Sequence, residues 1–167
     1  VERMRFLDLT VSGIRTLYSN EAHLTELLPT ADLVIGAVLV PGARAPKLLT
    51  RKMLGLMKPG SVFVDIAIDQ GGCAETSRPT SHNNPVYVEE GVLHYCVTKM
   101  PGAYARTATQ ALTHVTFPYI KALAKQGLDE ACRRDAGLAQ GVNIKDGKVT
   151  HQAVAQAHGL SYSPLGV

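Results

Sequence analysis

The chain has 167 residues and a formal net charge of +3, with 46% of its residues hydrophobic and 19% charged. That balance excludes a disordered chain, and the length suffices for one ordinary domain with a core of its own. No apolar run reaches the roughly 18 residues of a membrane-spanning helix, and the scattered basic residues (Arg51-Lys52, Lys121, Lys125, Arg133-Arg134) do not alternate with aromatics, which argues against a nucleic-acid partner.

The opening Val1-Glu2-Arg3-Met4-Arg5 carries neither an initiator Met nor the apolar core and cleavage site of a signal peptide, so the expected natural start lies elsewhere. A short β-rich run covers residues 14–18. A helix is predicted over 20–28, with Asn20 as its N-cap and Leu24, Leu27 and Leu28 on one face. Residues 31–40 are apolar almost throughout rather than alternating, the pattern of a strand buried on both faces in a parallel sheet. Thr50 caps a predicted helix over 51–57 that turns Met53, Leu54 and Met57 inward and ends at Pro59-Gly60. Residues 61–66 form a second buried strand. A polar, Gly-rich stretch over 69–84 follows, then extended segments at 85–88 and 92–97. Strands separated by helices predict a doubly wound α/β sheet.

From Arg106 the pattern becomes a long helix, with Ala111, Leu112, Val115, Tyr119, Ile120 and Leu123 at helical spacing and Pro118 expected to kink or interrupt it. A further helix is predicted over 128–138, a tight hairpin over 143–149 around Asp146-Gly147, and a last helix over 152–157 ending at Gly159. Cys73, Cys96 and Cys132 are odd in number and far apart, which reads as reduced thiols in a cytoplasmic protein. His82, His94, His114, His151 and His158 share no ligand spacing and read as packed or solvated, and His23 lies on a solvated helix face; no metal is expected.

Two stretches carry chemistry. Met57-Lys58-Pro59-Gly60-Ser61-Val62-Phe63-Val64-Asp65-Ile66-Ala67 is the kind of helix-to-strand unit found in the second half of nicotinamide-binding domains, whose ligands sit beyond the carboxyl ends of the strands. It also fits an ordinary structural unit. From it runs Ile68-Asp69-Gln70-Gly71-Gly72-Cys73-Ala74-Glu75-Thr76-Ser77-Arg78-Pro79-Thr80-Ser81. The paired glycines allow close backbone approach to a ligand. Asp69 can accept a hydrogen bond or a proton, or simply cap a turn at the strand end. Arg78 can face a phosphate or carboxylate, or form a surface ion pair. Cys73 has no base beside it in sequence and does not read as a nucleophile.

This run resembles the signature of the alanine dehydrogenase family. So do Val38-Leu39-Val40-Pro41-Gly42-Ala43-Arg44-Ala45-Pro46-Lys47-Leu48, His94-Tyr95-Cys96-Val97, Met100-Pro101-Gly102-Ala103 and Ala111-Leu112-Thr113. The resemblance extends from about residue 1 to Leu165. It implies an incomplete Rossmann-type NAD-binding domain over residues 1–104, and over 105–167 a helical segment that returns to an N-terminal substrate domain not contained in these residues. It also implies reversible, NAD-dependent oxidative deamination of L-alanine to pyruvate and ammonium by a cytoplasmic homo-oligomer, hexameric in the family. Position by position, it implies cofactor contacts at Arg3 and Ser19 near the adenosine end and at Val38 and Leu39. Ile66, Ala67, Ile68 and Asp69 are implied beside the nicotinamide, with Asp69 in the place of the catalytic aspartate. Arg78 is a further implied contact, and Val97, Thr98, Lys99 and Met100 form the last segment facing cofactor and substrate. Lys99 stands where the family usually has Asn, and a cation there repels a cationic nicotinamide ring.

The Gly-rich turn that receives the pyrophosphate and the acid that holds the ribose hydroxyls are not among these residues. In the family they lie upstream of Val1, as do the substrate-binding Arg and Lys and a catalytic His. The expectation is a chain that is inactive alone and binds NAD weakly or not at all. By the strand order 3-2-1-4-5-6, residues 14–18 are strand 3, 33–39 strand 4 and 62–66 strand 5, and strand 4 is left as an open edge. Two other readings stand beside this one: a transhydrogenase-type NAD domain, and a non-catalytic remnant that serves as an assembly module.

Overall fold

The computed structural model describes residues 2–167. The chain divides into two compact units. One takes the described residues up to Val38 together with Pro46–Thr98, and the other takes Leu39–Ala45 and Lys99–Val167.

The first unit contains α1 (Glu2–Thr10), α2 (Glu21–Leu27), β1 (Leu33–Gly36), α3 (Arg51–Leu54), β2 (Val62–Asp65), β3 (Val86–Glu89) and β4 (Val92–Tyr95). Its sheet has the order β1-β2-β4-β3. β2 is parallel to both neighbours, and β3 pairs antiparallel with β4 at the far edge. The turn between β3 and β4 has both Glu90 and Gly91 at positive φ, which matches the twist of a two-residue hairpin.

Paired residues share a face of the sheet. One face carries Val34, Gly36, Phe63, Asp65, Val92, His94 and Tyr87. There Phe63, Asp65, Val92 and His94 are fully buried. The other face carries Leu33, Ile35, Val62, Val64, Leu93, Tyr95, Val86 and Val88, and Leu33, Ile35, Val86 and Val88 on it are exposed. The sheet is therefore closed on one side and largely open, though apolar, on the other. α3 begins where Thr50 accepts a hydrogen bond from the Met53 amide at 3.2 Å. It delivers Met53 and Leu54, with Met57 after it, into the core.

Several expectations hold and several are corrected. Asn20 caps α2 through the His23 amide at 2.8 Å. Residues 14–18, expected as a strand, form no ladder, because a strand exists only where a neighbour completes its hydrogen bonds. The strand expected over 31–40 shortens to Leu33–Gly36, and Leu33 and Ile35 are more than half exposed rather than buried on both faces. The helix expected over 51–57 ends at Leu54 on Gly55, ahead of Pro59-Gly60. Helix α1 was not anticipated: none of its side chains is buried, so its apolar residues follow no core-facing pattern.

The second unit contains α4 (Ala105–Arg134), α5 (Ala136–Gln140), the hairpin β5 (Ile144–Lys145) and β6 (Lys148–Val149), and α6 (Gln152–His158). Pro118 lies inside α4 without a departure from helical dihedrals; the break falls instead at Gly127, with φ 73° and ψ 171°. A residue without Cβ reaches that region freely, whereas Pro is confined to the helical φ. Asp146 and Gly147 make the hairpin turn at φ 50° and 74°, and α6 stops at left-handed Gly159. Of the thirty residues of α4 only Ala131 and Cys132 are buried, and Leu112, Val115, Phe117 and Ile120 are exposed.

An apolar sheet face ending in an unpaired strand favours association. We expect the isolated chain to self-associate in light scattering at micromolar concentration, and Leu33→Lys with Ile35→Lys to shift it toward monomer. A monodisperse monomer with the native sequence would remove this reading of the open face.

Candidate active site

The carboxyl ends of the three parallel strands lie side by side, with Gly36 level with Asp65 and Val64 level with Tyr95. The chain leaves them through residues 37–38, 66–70 and 96–98. This gathers Val38, Ile66, Ala67, Ile68, Asp69, Val97 and Thr98 along one rim of the sheet, where an open parallel sheet places its ligand. Ala67, Ile68 and Val97 turn their side chains into the core. Val38 and Thr98 are half-buried. Ile66 is 54% exposed. Asp69 lies four residues past the end of β2 in the 3-10 helix Ile66–Gln70 and is exposed.

The other expected contacts sit elsewhere. Arg3 is exposed on α1, and Ser19 is exposed just before the cap of α2. Among the described residues Arg78 forms no ion pair within 4.0 Å; its guanidinium carbon lies 3.8 Å from the centroid of the Tyr87 ring, a cation–π stack. Leu39, Lys99 and Met100 belong to the second unit. Lys99 is left-handed, with φ 57° and ψ 45°. Asn tolerates that region better than other residues with a side chain, a physical reason for the Asn expected here.

What shapes the rim is Asp65, the last residue of β2, whose side chain is fully buried. Its carboxylate accepts from the Cys73 amide at 2.8 Å and the Ser77 hydroxyl at 2.5 Å, with the Cys73 thiol at 3.6 Å. Gly72 permits this approach: a Cβ there would lie 2.5 Å from Ser77 Cβ and 2.8 Å from Asp65 Oδ2. Next to this cluster, His94 Nδ1 donates to the Val92 carbonyl at 2.9 Å, and Nε2 meets the Thr76 hydroxyl at 2.8 Å. Tyr87 stacks on His94 at 4.9 Å between centroids. Its hydroxyl donates to the Thr76 carbonyl and accepts from the Arg78 amide, both at 2.9 Å. Thr80 joins the same loop to the end of β4, through its amide to the Cys96 carbonyl at 2.9 Å and its carbonyl to the Thr98 amide at 3.2 Å.

The strand ends that form the rim follow from sequence pattern, whereas its supports do not. A lone acid inside Val62-Phe63-Val64-Asp65-Ile66 was the available signal for Asp65, since a carboxylate in a buried strand requires dedicated donors. Tyr87 had no such signal. Among the described residues, no three His, Cys, Asp or Glu side chains are grouped to hold a metal ion, and no helix is long and apolar enough to cross a membrane.

Residues 1–152 match the family model described as alanine dehydrogenase/PNT, C-terminal domain. The chain belongs to this family. It is 56% identical over 163 residues to an alanine dehydrogenase of Halomonas elongata and 50% identical over 163 residues to one of Lysinibacillus sphaericus, covering 97% and 96% of this chain and 44% of each relative. A solved L-alanine dehydrogenase superposes with a TM-score of 0.78 at 49% identity, over 95% of this chain and 44% of that one. A solved transhydrogenase from Sinorhizobium meliloti gives 0.60 at 30% identity, over 84% and 37%. The chain thus spans less than half the length of the curated relatives it matches. The matched region contains the whole rim and the Asp65 cluster of this family member.

Burial, and then the charge of Asp65, pushes the Cys73 thiol up to about 12 from an ordinary 9.0. At pH 8 this lowers the thiolate fraction about 1000-fold. We expect Cys73 to react with iodoacetamide about three orders of magnitude more slowly in the native chain than in urea, as mapped by peptide mass spectrometry. The raised value also fixes a sign. The stability contributed by the protonated thiol is intact below pH 9 and falls as pH rises toward 12. Native and denatured rates that agree would contradict this environment.

Proposed function

We propose that this chain is the cofactor-binding part of an NAD-dependent L-alanine dehydrogenase, and that its rim holds the nicotinamide end of the cofactor against the substrate carbon. The observation that carries the reading is the gathering of Val38, residues 66–69 and residues 97–98 at three adjacent strand ends, with one carboxylate, the exposed Asp69, among side chains that are apolar apart from Thr98. The names of the relatives support the same activity. In the overall reaction L-alanine, NAD+ and water give pyruvate, NADH, ammonium and a proton.

The donor set fits such a group. Ile66 offers an apolar surface for a flat ring, and the side chains of Ala67, Ile68 and Val97, turned inward, leave the backbone of this rim as the part that can approach it. NAD, when bound, supplies the hydride acceptor. Asp69 stabilises the positive charge that develops on the substrate nitrogen as the C–H bond is lost, and takes a proton from the water that attacks the resulting iminium. Arg3, Ser19, Leu39, Arg78, Lys99 and Met100 complete the contacts in the assembled protein. In this reading residues 105–167 lead to a substrate domain, and the protein works as a cytoplasmic homo-oligomer. A transhydrogenase-type domain is the second reading, supported by the 30% identical solved neighbour.

In the longer polypeptide that carries this chain, Asp69→Asn should lower kcat about 100-fold or more while changing the dissociation constant for NAD by less than about threefold; unchanged turnover sinks the assignment. Alanine-dependent NADH formation by the unaltered polypeptide separates the two readings. The 167 residues contain no Gly-x-Gly-x-x-Gly turn, a main anchor for dinucleotide phosphates. Calorimetric titration of the isolated chain with NAD should accordingly show no micromolar binding, and such binding would mean that the anchor lies within these residues.

A further inference from the structure

We propose that Lys47 is a positioning residue, which clamps the glycine turn after Asp69 and so fixes where that carboxylate points. The Lys47 ammonium donates to three carbonyls of one turn: Gly71 at 2.7 Å, Gly72 at 2.9 Å and Ala74 at 3.0 Å. The remaining carbonyl, that of Cys73, accepts from the Leu48 and Leu49 amides at 2.7 and 3.1 Å. Four consecutive carbonyls, 71 to 74, are therefore all held by residues 47–49. An ammonium has three N–H donors, and all three are used. The carbonyls converge on one cation because Gly71 and Gly72 are both left-handed, at φ 95° and 75°.

The clamp reaches Asp69 directly. Gly71 closes the short helix that carries Asp69 by donating its amide to the Ala67 and Ile68 carbonyls, and Lys47 takes the carbonyl of that same residue. On the opposite side Asp65 holds the Cys73 amide and the Ser77 hydroxyl. The turn is gripped from both sides, by a cation on its carbonyls and an anion on its amide. Lys47 as a whole residue is exposed, although two of its three hydrogen bonds are part-buried, so its truncation does not open the core. Its ammonium is spent on backbone, which distinguishes it from a lysine that meets substrate.

This inference rests on the reading of Asp69 as the reactive carboxylate, and its test keeps the two apart. The polypeptide that carries this chain is compared with its Lys47→Met variant, which keeps an unbranched side chain one atom shorter and removes the donors. Two quantities are read: steady-state alanine oxidation, and iodoacetamide labelling of each cysteine by peptide mass spectrometry. The expected result is a kcat at least tenfold lower with KM for NAD within about threefold, and labelling of Cys73 at least tenfold faster with Cys96 and Cys132 unchanged. Equal acceleration at all three cysteines means general loosening and overturns the proposal. Unchanged labelling of Cys73 overturns it as well, because a fall in kcat would then reflect direct contact with the reactants. Faster Cys73 labelling with full kcat shows a clamp that does not govern Asp69, and overturns it too. If the unaltered polypeptide forms no NADH from alanine, the proposed function fails, while the labelling pattern still decides whether Lys47 holds the turn.

Discussion

The carboxylate of Asp65 sets the geometry on which the rest of the candidate site depends. It is fully buried at the end of the central strand, and a buried charge is tolerable only where its lone pairs are taken by donors. β2 has ended at that point, so the donors come from the chain that follows, which folds back on itself within eight residues to bring the Cys73 amide onto the acid. Folding back that tightly needs the two left-handed glycines. It also needs Gly36 on β1, where a Cβ would lie 2.3 Å from the Cys73 sulfur and 3.3 Å from Phe63. Gly36, Asp65, Gly72 and Cys73 are thus one interlocked contact. The end of the 3-10 helix, and the position of Asp69 inside it, follow from that contact rather than from any preference of residues 66–70.

A second layer of constraint comes from the antiparallel hairpin at the edge of the sheet. β3 places Tyr87 opposite His94, and the two rings stack while Phe63 meets His94 edge-on at 5.4 Å. The Tyr87 hydroxyl, pushed above its ordinary range by burial, stays protonated and can donate to Thr76 while it accepts from Arg78. The hairpin turn is further tied to α3 through Arg51, which meets Glu89 at 2.9 Å and Glu90 at 2.6 Å. These carboxylates are solvent-accessible and screened, so their worth is orientation more than stability. The loop over residues 71–80 is therefore held at its start by Lys47 and Asp65, in the middle by Tyr87 and Thr76, and at its end by Thr80.

The parts of this architecture that depend on local chemistry were readable from sequence. Asn20 and Thr50 as caps, Asp146-Gly147 as a hairpin turn and the inward set Met53, Leu54 and Met57 each follow from residues within one turn of one another. The rim was readable for a similar reason: an apolar strand that runs into a polar, Gly-rich stretch marks where the strand ends and the chain turns away from the sheet. What failed depended on partners far along the chain. Residues 14–18 have strand propensity but no strand beside them. Pro118 fits a helix it was expected to break, while Gly127, with no side chain to enforce helical dihedrals, breaks it. Lys47 gives no sequence sign of its role, since its acceptors lie 24 to 27 residues away and are backbone carbonyls that any residue would supply.

Asp65 and Asp69 stand four residues apart and meet opposite surroundings. Asp65 is the acid that the fold consumes: Oδ2 accepts from an amide and a hydroxyl, Oδ1 faces the Cys73 thiol, and water does not reach it. Asp69 is the acid that the fold leaves open, at the surface of the rim. Had the chain continued β2 in extended form, successive side chains would alternate between faces, and Asp65, Ala67 and Asp69 would lie on one face of the sheet, with Asp69 drawn toward the covered core. The 3-10 helix replaces that alternation with about three residues per turn. Ala67 and Ile68 turn inward, and Ile66 and Asp69, three residues apart, turn outward together. The switch of period at Asp65 thus places a carboxylate and an apolar side chain next to each other at the strand end. A reaction that holds a flat ring against a carbon bearing a cationic nitrogen needs both, the one to exclude water and the other to balance charge.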